Sequence, residues 1–232
     1  MAQTLLISGT DHGLGASLAR LWTERGATVF AGVLGSGSSE NCPSGGVLHR
    51  LPLDIGSDAG VARAAEFVRS KTDHLDLIIN NGAVLGDIDS TLFDRLDFEQ
   101  MLRVYNINTL GSLRVTQAFL PLLLAGEEKL VVNVSSEAGS LGTCHRQNWY
   151  AYAMAKAALN MQSCLVHNLL REHGGRVLVV HPGHVRTFMR GEVDATGALS
   201  PDEAAQALCR NIENCGLGPL EFRGPEGELI PW

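Results

Sequence analysis

Thr4-Leu5-Leu6-Ile7-Ser8-Gly9-Thr10-Asp11-His12-Gly13-Leu14-Gly15 is the stretch on which the reading of this chain turns. Leu5-Leu6-Ile7 is continuously apolar, the pattern of a short strand buried on both faces. Leu14, Leu18, Leu21 and Trp22 then follow at i, i+4, i+7 and i+8, the stripe of a helix packed on a sheet. Gly9, Gly13 and Gly15 lie in the turn between them. A reversal that brings backbone against a pyrophosphate needs residues without a Cβ, and the helix N-terminus behind it offers free N–H groups. Glycine triplets also mark plain turns. As the first strand-to-helix turn of an alternating chain, this one points to dinucleotide binding.

The alternation continues outward. Strands are expected at Thr4–Ser8, Thr28–Val33, Val47–Leu53, Leu75–Asn80, Lys129–Ser135 and Arg176–His181, with a weaker seventh near Pro219–Phe222. Ser57 reads as the cap of a helix over Asp58–Lys71. Asp97 with Gln100 begins the helix carrying Met101, Val104 and Tyr105. Ser200-Pro201-Asp202-Glu203 combines a cap, a proline at the first helical position and a reciprocating Glu. Gly35–Ser39, continuing to Gly46, reads as a loop. Such a chain builds a doubly wound α/β fold, a parallel sheet of about seven strands with helices on both faces, in one domain over residues 1–232.

Bulk properties narrow the function. The 232 residues are 45% hydrophobic and 19% charged, ordinary globular values that need neither disulfide nor metal to close a core. A net charge of −7 with no Lys/Arg-rich run excludes nucleic acid and anionic membrane as main partners. Cys42, Cys144, Cys164, Cys209 and Cys215 form no CxxC pair, which argues for reduced thiols. With no basic signal region and no apolar run of roughly 18 residues, the expectation is a soluble cytoplasmic chain. His181-x-x-His184 is not read as a metal pair, because no carboxylate follows at helical spacing.

Tyr152-Ala153-Met154-Ala155-Lys156 lies on an alanine-rich segment, Ala151–Leu159, of good helix propensity. Positions i and i+4 share a helix face, so phenol and ammonium point the same way. A cation close to a phenol lowers its pKa from about 10 towards neutrality, which suits proton donation to a carbonyl. Tyr150 has Met154 at i+4 and lacks that partner.

Loop and pair together resemble the short-chain dehydrogenase/reductase family, a Rossmann fold, along almost the whole chain. Ser8-Gly9-xxx-Gly13-x-Gly15 is similar to the family's TGxxxGxG loop, with Ser for Thr. Leu53-Asp54-Ile55 resembles its adenine-contacting segment, and Asn80-Asn81-Gly82-Ala83 its NNAG with the last two residues exchanged. His181-Pro182-Gly183-His184-Val185-Arg186-Thr187 resembles PGxVxT. The resemblance implies cofactor contacts from Gly9, Asp11, His12, Gly13, Leu14, Gly15 and Leu34. It implies further ones from Asp54, Ile55, Asn81, Gly82, Pro182, Gly183, Val185 and Thr187, joined by Tyr152 and Lys156.

The catalytic set implied is Asn108, Ser136, Tyr152 and Lys156. Asn108-Thr109-Leu110-Gly111 is similar to the element whose Asn holds a water beside the Lys. Val132-Asn133-Val134-Ser135-Ser136 is similar to the strand end whose second Ser binds the substrate oxygen. The interval from Ser136 to Tyr152 exceeds the family's usual one, which keeps Ser135 and Ser140 as alternatives. That interval, Tyr150-Ala151-Tyr152 and the ending Gly227-Glu228-Leu229-Ile230-Pro231-Trp232 most resemble C-factor and sniffer-type carbonyl reductases.

The function implied is hydride transfer between a nicotinamide and a carbonyl or alcohol, with Tyr152 as acid/base, Lys156 tuning it and binding ribose, and Asn108 linking it to solvent. The alternative is a nicotinamide-binding redox sensor without turnover; the proton relay favours the enzyme. The end of the second strand, Ala31-Gly32-Val33-Leu34-Gly35-Ser36, carries neither an acid nor Arg or Lys. With His12, Ser36 and Ser38 nearby, absence of a repelling acid favours NADP(H) over NAD(H). Met161, Leu165 and Leu169 read as core or subunit contact, and the resemblance implies a homo-dimer or homo-tetramer through helices around Asn106–Leu124 and Ala151–Leu170. His145 reads as a solvated loop residue. The segment from Thr187 to Ser200 is short for a substrate lid, which implies an open pocket with weak discrimination.

Overall fold

Fully apolar triplets alternate with amphipathic stripes, and the computed structural model shows what that pattern builds. It describes residues 3–35, 37–41, 45–189 and 194–232, with backbone alone for 38–41. In chain order the elements are β1 (Thr4–Ile7), α1 (Gly13–Glu24), β2 (Thr28–Val33), β3 (Ser38–Asn41), β4 (Val47–Pro52), α2 (Asp58–Arg69) and β5 (Leu77–Asn80). There follow α3 (Phe98–Tyr105), a π-helical turn (Asn106–Gly111), α4 (Ser112–Ala125), β6 (Leu130–Val134) and a 3-10 turn (Glu137–Gly139). The chain ends with α5 (Tyr150–Arg171), β7 (Arg176–Val180), α6 (Pro201–Glu213) and β8 (Glu221–Arg223).

These strands form one eight-stranded sheet in the order β3-β4-β2-β1-β5-β6-β7-β8. β1 pairs in parallel with both β2 and β5, so the chain leaves it in opposite directions and opens a crevice at its carboxyl end. The expected seventh strand is present as β8. β3 was not expected: it lies in the stretch read as a loop and pairs antiparallel with β4. Its Ser/Gly-rich surroundings carry no strand signal. The free backbone edge of β4 supplies the template. Ser36, Cys42 and residues 190–193 of the expected lid lie outside the described residues, as does the side chain of Ser38.

Alternation divides the core. Leu5, Ile7, Leu77, Ile79 and Val132 face α1 and α6, meeting Leu18, Trp22, Leu208 and Ile212. Leu6, Ile78 and Val131 face the other way, onto Val61, Val68, Phe119 and Leu123 of α2 and α4. Each such buried aliphatic side chain stabilises by about 1.5–3 kcal/mol, which holds the strand ends rigidly under the site. The helix starts follow their caps. Ser57 Oγ accepts from Gly60 N at 3.1 Å, and Ser200 and Glu203 form the full reciprocal box. Asp97 caps α3 through Gln100 N, but the Gln100 side chain reaches instead to Asp87 N at 2.6 Å and ties down the loop after β5. Among the described residues no helix is long and apolar enough to cross a membrane.

Candidate active site

At the carboxyl end of β1 the loop is shaped by what a Cβ would strike. Gly9 has φ +68°, and a Cβ there would lie 2.6 Å from Gly82 Cα. A Cβ on Gly15 would lie 2.1 Å from Gly9 O. Gly13, with φ +60°, faces Thr187 of the segment after β7. His12, at the N-cap of α1, makes no capping bond through its side chain, and the first turn holds no acid. The helix therefore presents its amide dipole to an anion, and the glycine cradle fits the pyrophosphate of a nicotinamide dinucleotide. The exchanged Gly82-Ala83 does not break this geometry: Ser8 Oγ accepts from both Asn81 N and Gly82 N at 3.1 Å, and Asn81 Nδ2 donates to Gly9 O at 2.8 Å.

The adenosine side holds a surprise. The end of β2 has no acid in sequence, yet both Asp11 carboxylate oxygens accept from Leu34 N, at 3.0 and 3.2 Å. The loop thus delivers a carboxylate to the place where the strand lacks one. Beside Leu34 and Asp54 a cavity of about 540 Å³ is also lined by Arg50 and Arg63. The chain therefore brings both signs of charge to this end. Asp11 was expected among the cofactor contacts, though not at the end of β2; Arg50 and Arg63 carry no such signal in the sequence, because each arrives from a different element. The other loop residues stand as described: Leu14 is buried in α1, and Ile55 packs beside Gly82 and Gly111.

The second half of the site stands on α5, anchored by a buried polar chain. Asn80 Nδ2 donates to Asn133 Oδ1 at 2.8 Å, Asn133 Nδ2 to Ser163 Oγ at 2.8 Å, and Ser163 Oγ to Leu159 O. Thr109 Oγ1 donates to Ala155 O at 2.8 Å. Gly139 lets the 3-10 turn approach α5 so closely that a Cβ would lie 2.7 Å from the carbonyl carbon of Lys156. Ser136, at the start of that turn, is thereby set beside the Tyr152 phenol. The other two serines are spent elsewhere: Ser135 Oγ donates to Asn160 Oδ1 and Ser140 Oγ to Pro231 O. Tyr150 turns its hydroxyl to Gln147 O.

Lys156 is buried, donates to Val134 O at 2.7 Å, and lies 5.5 Å from the Tyr152 ring centroid. Burial dominates the electrostatics of the pair. It pushes the Tyr152 phenol up to about 12, against the lowering contribution of Ser136, with the Glu137 charge adding to the rise. It pulls the Lys156 ammonium down to about 7. In the protein alone, burial thus opposes the expected lowering of the phenol, because desolvation disfavours the charged forms of both partners.

Asn108 is fixed by its own side-chain bonds. It is buried in the π-helical turn, where Oδ1 accepts from Val84 N at 2.8 Å and Nδ2 donates to Val84 O at 2.7 Å. Its amide pins the loop after β5, and no bond joins it to Lys156 among the described residues. Val185 is buried and bridges to Leu199; Pro182, Gly183 and Thr187 are partly buried beside it. His184 Nε2 lies 2.9 Å from Asp194 Oδ2, and His145 is exposed. Met161, Leu165 and Leu169 are exposed on α5 and contribute nothing to the core.

Known proteins match this arrangement. The model of the short chain dehydrogenase family matches residues 3–198. The 1-hydroxy-2-glutathionyl-2-methyl-3-butene dehydrogenase of Rhodococcus sp. strain AD45 is 32% identical over 99% of each chain. The C-signal protein of Myxococcus xanthus is 39% identical over 69% of this chain and 95% of its own. The NADPH-bound carbonyl reductase from chicken fatty liver superposes with a TM-score of 0.85 at 25% identity, covering 100% of this chain and 99% of its own. In sequence and in fold, the chain is an oxidoreductase that belongs to the short-chain dehydrogenase family.

Proposed function

We propose that the chain is an NADP(H)-favouring carbonyl reductase, reversible on the alcohol, with Tyr152 as its general acid and base. The observation that carries this reading is the convergence of the Ser136 hydroxyl, the Tyr152 phenol and the Lys156 ammonium on one buried spot at the carboxyl ends of the strands. The nicotinamide, when bound, supplies or accepts the hydride. Ser136 and Tyr152 hold the substrate oxygen from two sides, and Tyr152 passes it the proton as charge develops there. Lys156 donates to Val134 O with one of its three protons and keeps the others for the phenol side and a ribose hydroxyl. Asn108 holds the loop after β5 in place through Val84 and, from that fixed position, serves the water link between Lys156 and solvent. The NADPH of the chicken reductase and the arginines lining the adenosine-side cavity favour NADP(H), with NAD(H) the weaker cofactor. The exposed apolar residues Met154, Met161, Leu165 and Leu169 of α5 form the contact of a homo-dimer or homo-tetramer, and light scattering that reads a monomer would remove that part.

The test is to follow the absorbance of reduced cofactor against a panel of ketones and aldehydes. Turnover is expected with NADPH. Tight cofactor binding with no turnover on any carbonyl would overturn the reading in favour of a redox sensor.

A further inference from the structure

The segment between Ser136 and Tyr152 carries a run of contacts that proton and hydride transfer do not use. Glu137 follows Ser136, and its two carboxylate oxygens take bonds from the Arg146 guanidinium at 2.9 and 2.6 Å. Arg146 lies over the Trp149 ring, 5.0 Å from its centroid. Trp149 in turn meets Tyr152 edge to face at 5.8 Å. The contacts therefore run from the neighbour of the serine back to the phenol.

Trp149 is held in an uncommon state. It is the N-cap of α5, with φ 65° and ψ 28°, a left-handed conformation that bulky side chains avoid. Such a backbone persists only where its surroundings over-determine it, and outliers of this kind gather at functional sites. Here the stacked guanidinium, locked by a bidentate carboxylate, supplies the constraint. Leu85 and Ile88, from the loop after β5, join Trp149 in one apolar patch around Tyr152. Trp149 is only half-buried, so part of its ring remains free to meet a substrate.

We propose that Trp149, locked by the Arg146–Glu137 ion pair, is the specificity-determining wall of the carbonyl pocket and selects substrates with a flat aromatic group next to the carbonyl. The proposal rests on Tyr152 being the proton donor, since the wall is defined by its contact with that ring. A planar substituent on a carbonyl held by Ser136 and Tyr152 lies along the indole. Aromatic contact of that kind is worth roughly two- to tenfold in affinity beyond the area buried. It biases a pocket that is otherwise open. Arg146 is a positioning residue that acts through Trp149.

The experiment measures kcat and KM for an aryl ketone and a straight-chain aliphatic ketone in the full-length protein and its variants, with near-ultraviolet circular dichroism in parallel. Trp149→Ala is expected to raise KM for the aryl ketone by about tenfold while leaving kcat and the aliphatic ketone within about twofold. Trp149→Phe retains most of the aryl preference and identifies the dichroism band that belongs to the indole. Arg146→Met reproduces the Trp149→Ala kinetics and loses that band. Arg146→Lys, which keeps the cation but not the fork, restores part of both. Equal effects of Trp149→Ala on the two ketones overturn the wall while leaving the carbonyl reductase reading in place. An unchanged indole band in Arg146→Met overturns the lock whatever the kinetics. No turnover of either ketone by the unmodified protein, by contrast, overturns the enzyme reading and the selectivity with it.

Discussion

The glycine loop and the helix of Tyr152 face the same crevice but are made by different means. In the loop the shape is backbone: Gly9, Gly13 and Gly15 are where they are because a Cβ would meet Gly82, Thr187 or the Gly9 carbonyl. On α5 the proposed chemistry is in side chains withdrawn from water, and burial sets their charge, with Tyr152 raised to about 12 and Lys156 lowered to about 7. Steric exclusion is a property of residue identity and spacing. Desolvation belongs to the whole surrounding fold. The first kind of site tolerates no change in shape, and the second responds to any change in its electrostatic environment.

Removing the phenolic oxygen is the hardest test of the contrast. Tyr152→Phe should cut kcat by about 10³-fold or more with cofactor affinity nearly unchanged, as read by single-turnover absorbance and by titration of cofactor fluorescence. Substantial retained activity would mean that side-chain chemistry lies elsewhere. Gly15→Ala attacks the other half. Its Cβ has backbone in its way at 2.1 Å, so cofactor affinity should fall by about a hundredfold, with a loss of about 1–3 kcal/mol in stability by thermal melting.

The pH profile comes next in size. Lys156 is lowered to about 7, so the free protein carries its cation below that pH and loses it above. The ratio kcat/KM for reduction should therefore fall as pH rises through about 7, approaching tenfold per unit. Lys156→Arg, which stays charged, should flatten this limb. The phenol, at about 12, should add no limb near 10. A descending limb near 10 in the unmodified protein would show that the cation holds against burial after all.

The smallest effect probes the adenosine end, where the two modes meet. Asp11→Asn removes the charge beside Leu34 N while keeping an acceptor there. The kcat/KM ratio of NADPH to NADH should rise by about five- to tenfold. An unchanged ratio would leave selection to the cavity lined by Arg50 and Arg63.

The same contrast explains what could be read in the residue order. Leu5-Leu6-Ile7, the glycines, Ser57 and the Ser200–Glu203 box each specify a local geometry, and each was legible. β3 was not, because a strand templated by the edge of β4 needs no signal of its own. Asp11 was expected to contact the cofactor, but not as the carboxylate at the end of β2, because it acts at Leu34, in a different element. The bonds of Asn108 to the Val84 backbone could not be read from its own segment, because they depend on the path of the loop after β5. Exposure of Met161, Leu165 and Leu169 could not be told from burial by spacing alone, since a helix stripe looks the same against a core or against a second copy.

The π-helical turn over Asn106–Gly111 acts as a phase adjuster between two sets of contacts that a regular helix could not serve together. Before and within it, Asn106 donates to Gly56 O and Asn108 holds Val84. Beyond it, Val115, Phe119 and Leu122 must face the sheet. An α-helix advances about 100° per residue, so one residue more or fewer between the two sets turns one of them out of register. The wide turn absorbs that angle. Deleting a single residue there would therefore act at a distance, with either the loop after β5 or the core face of α4 rotated away from its partners.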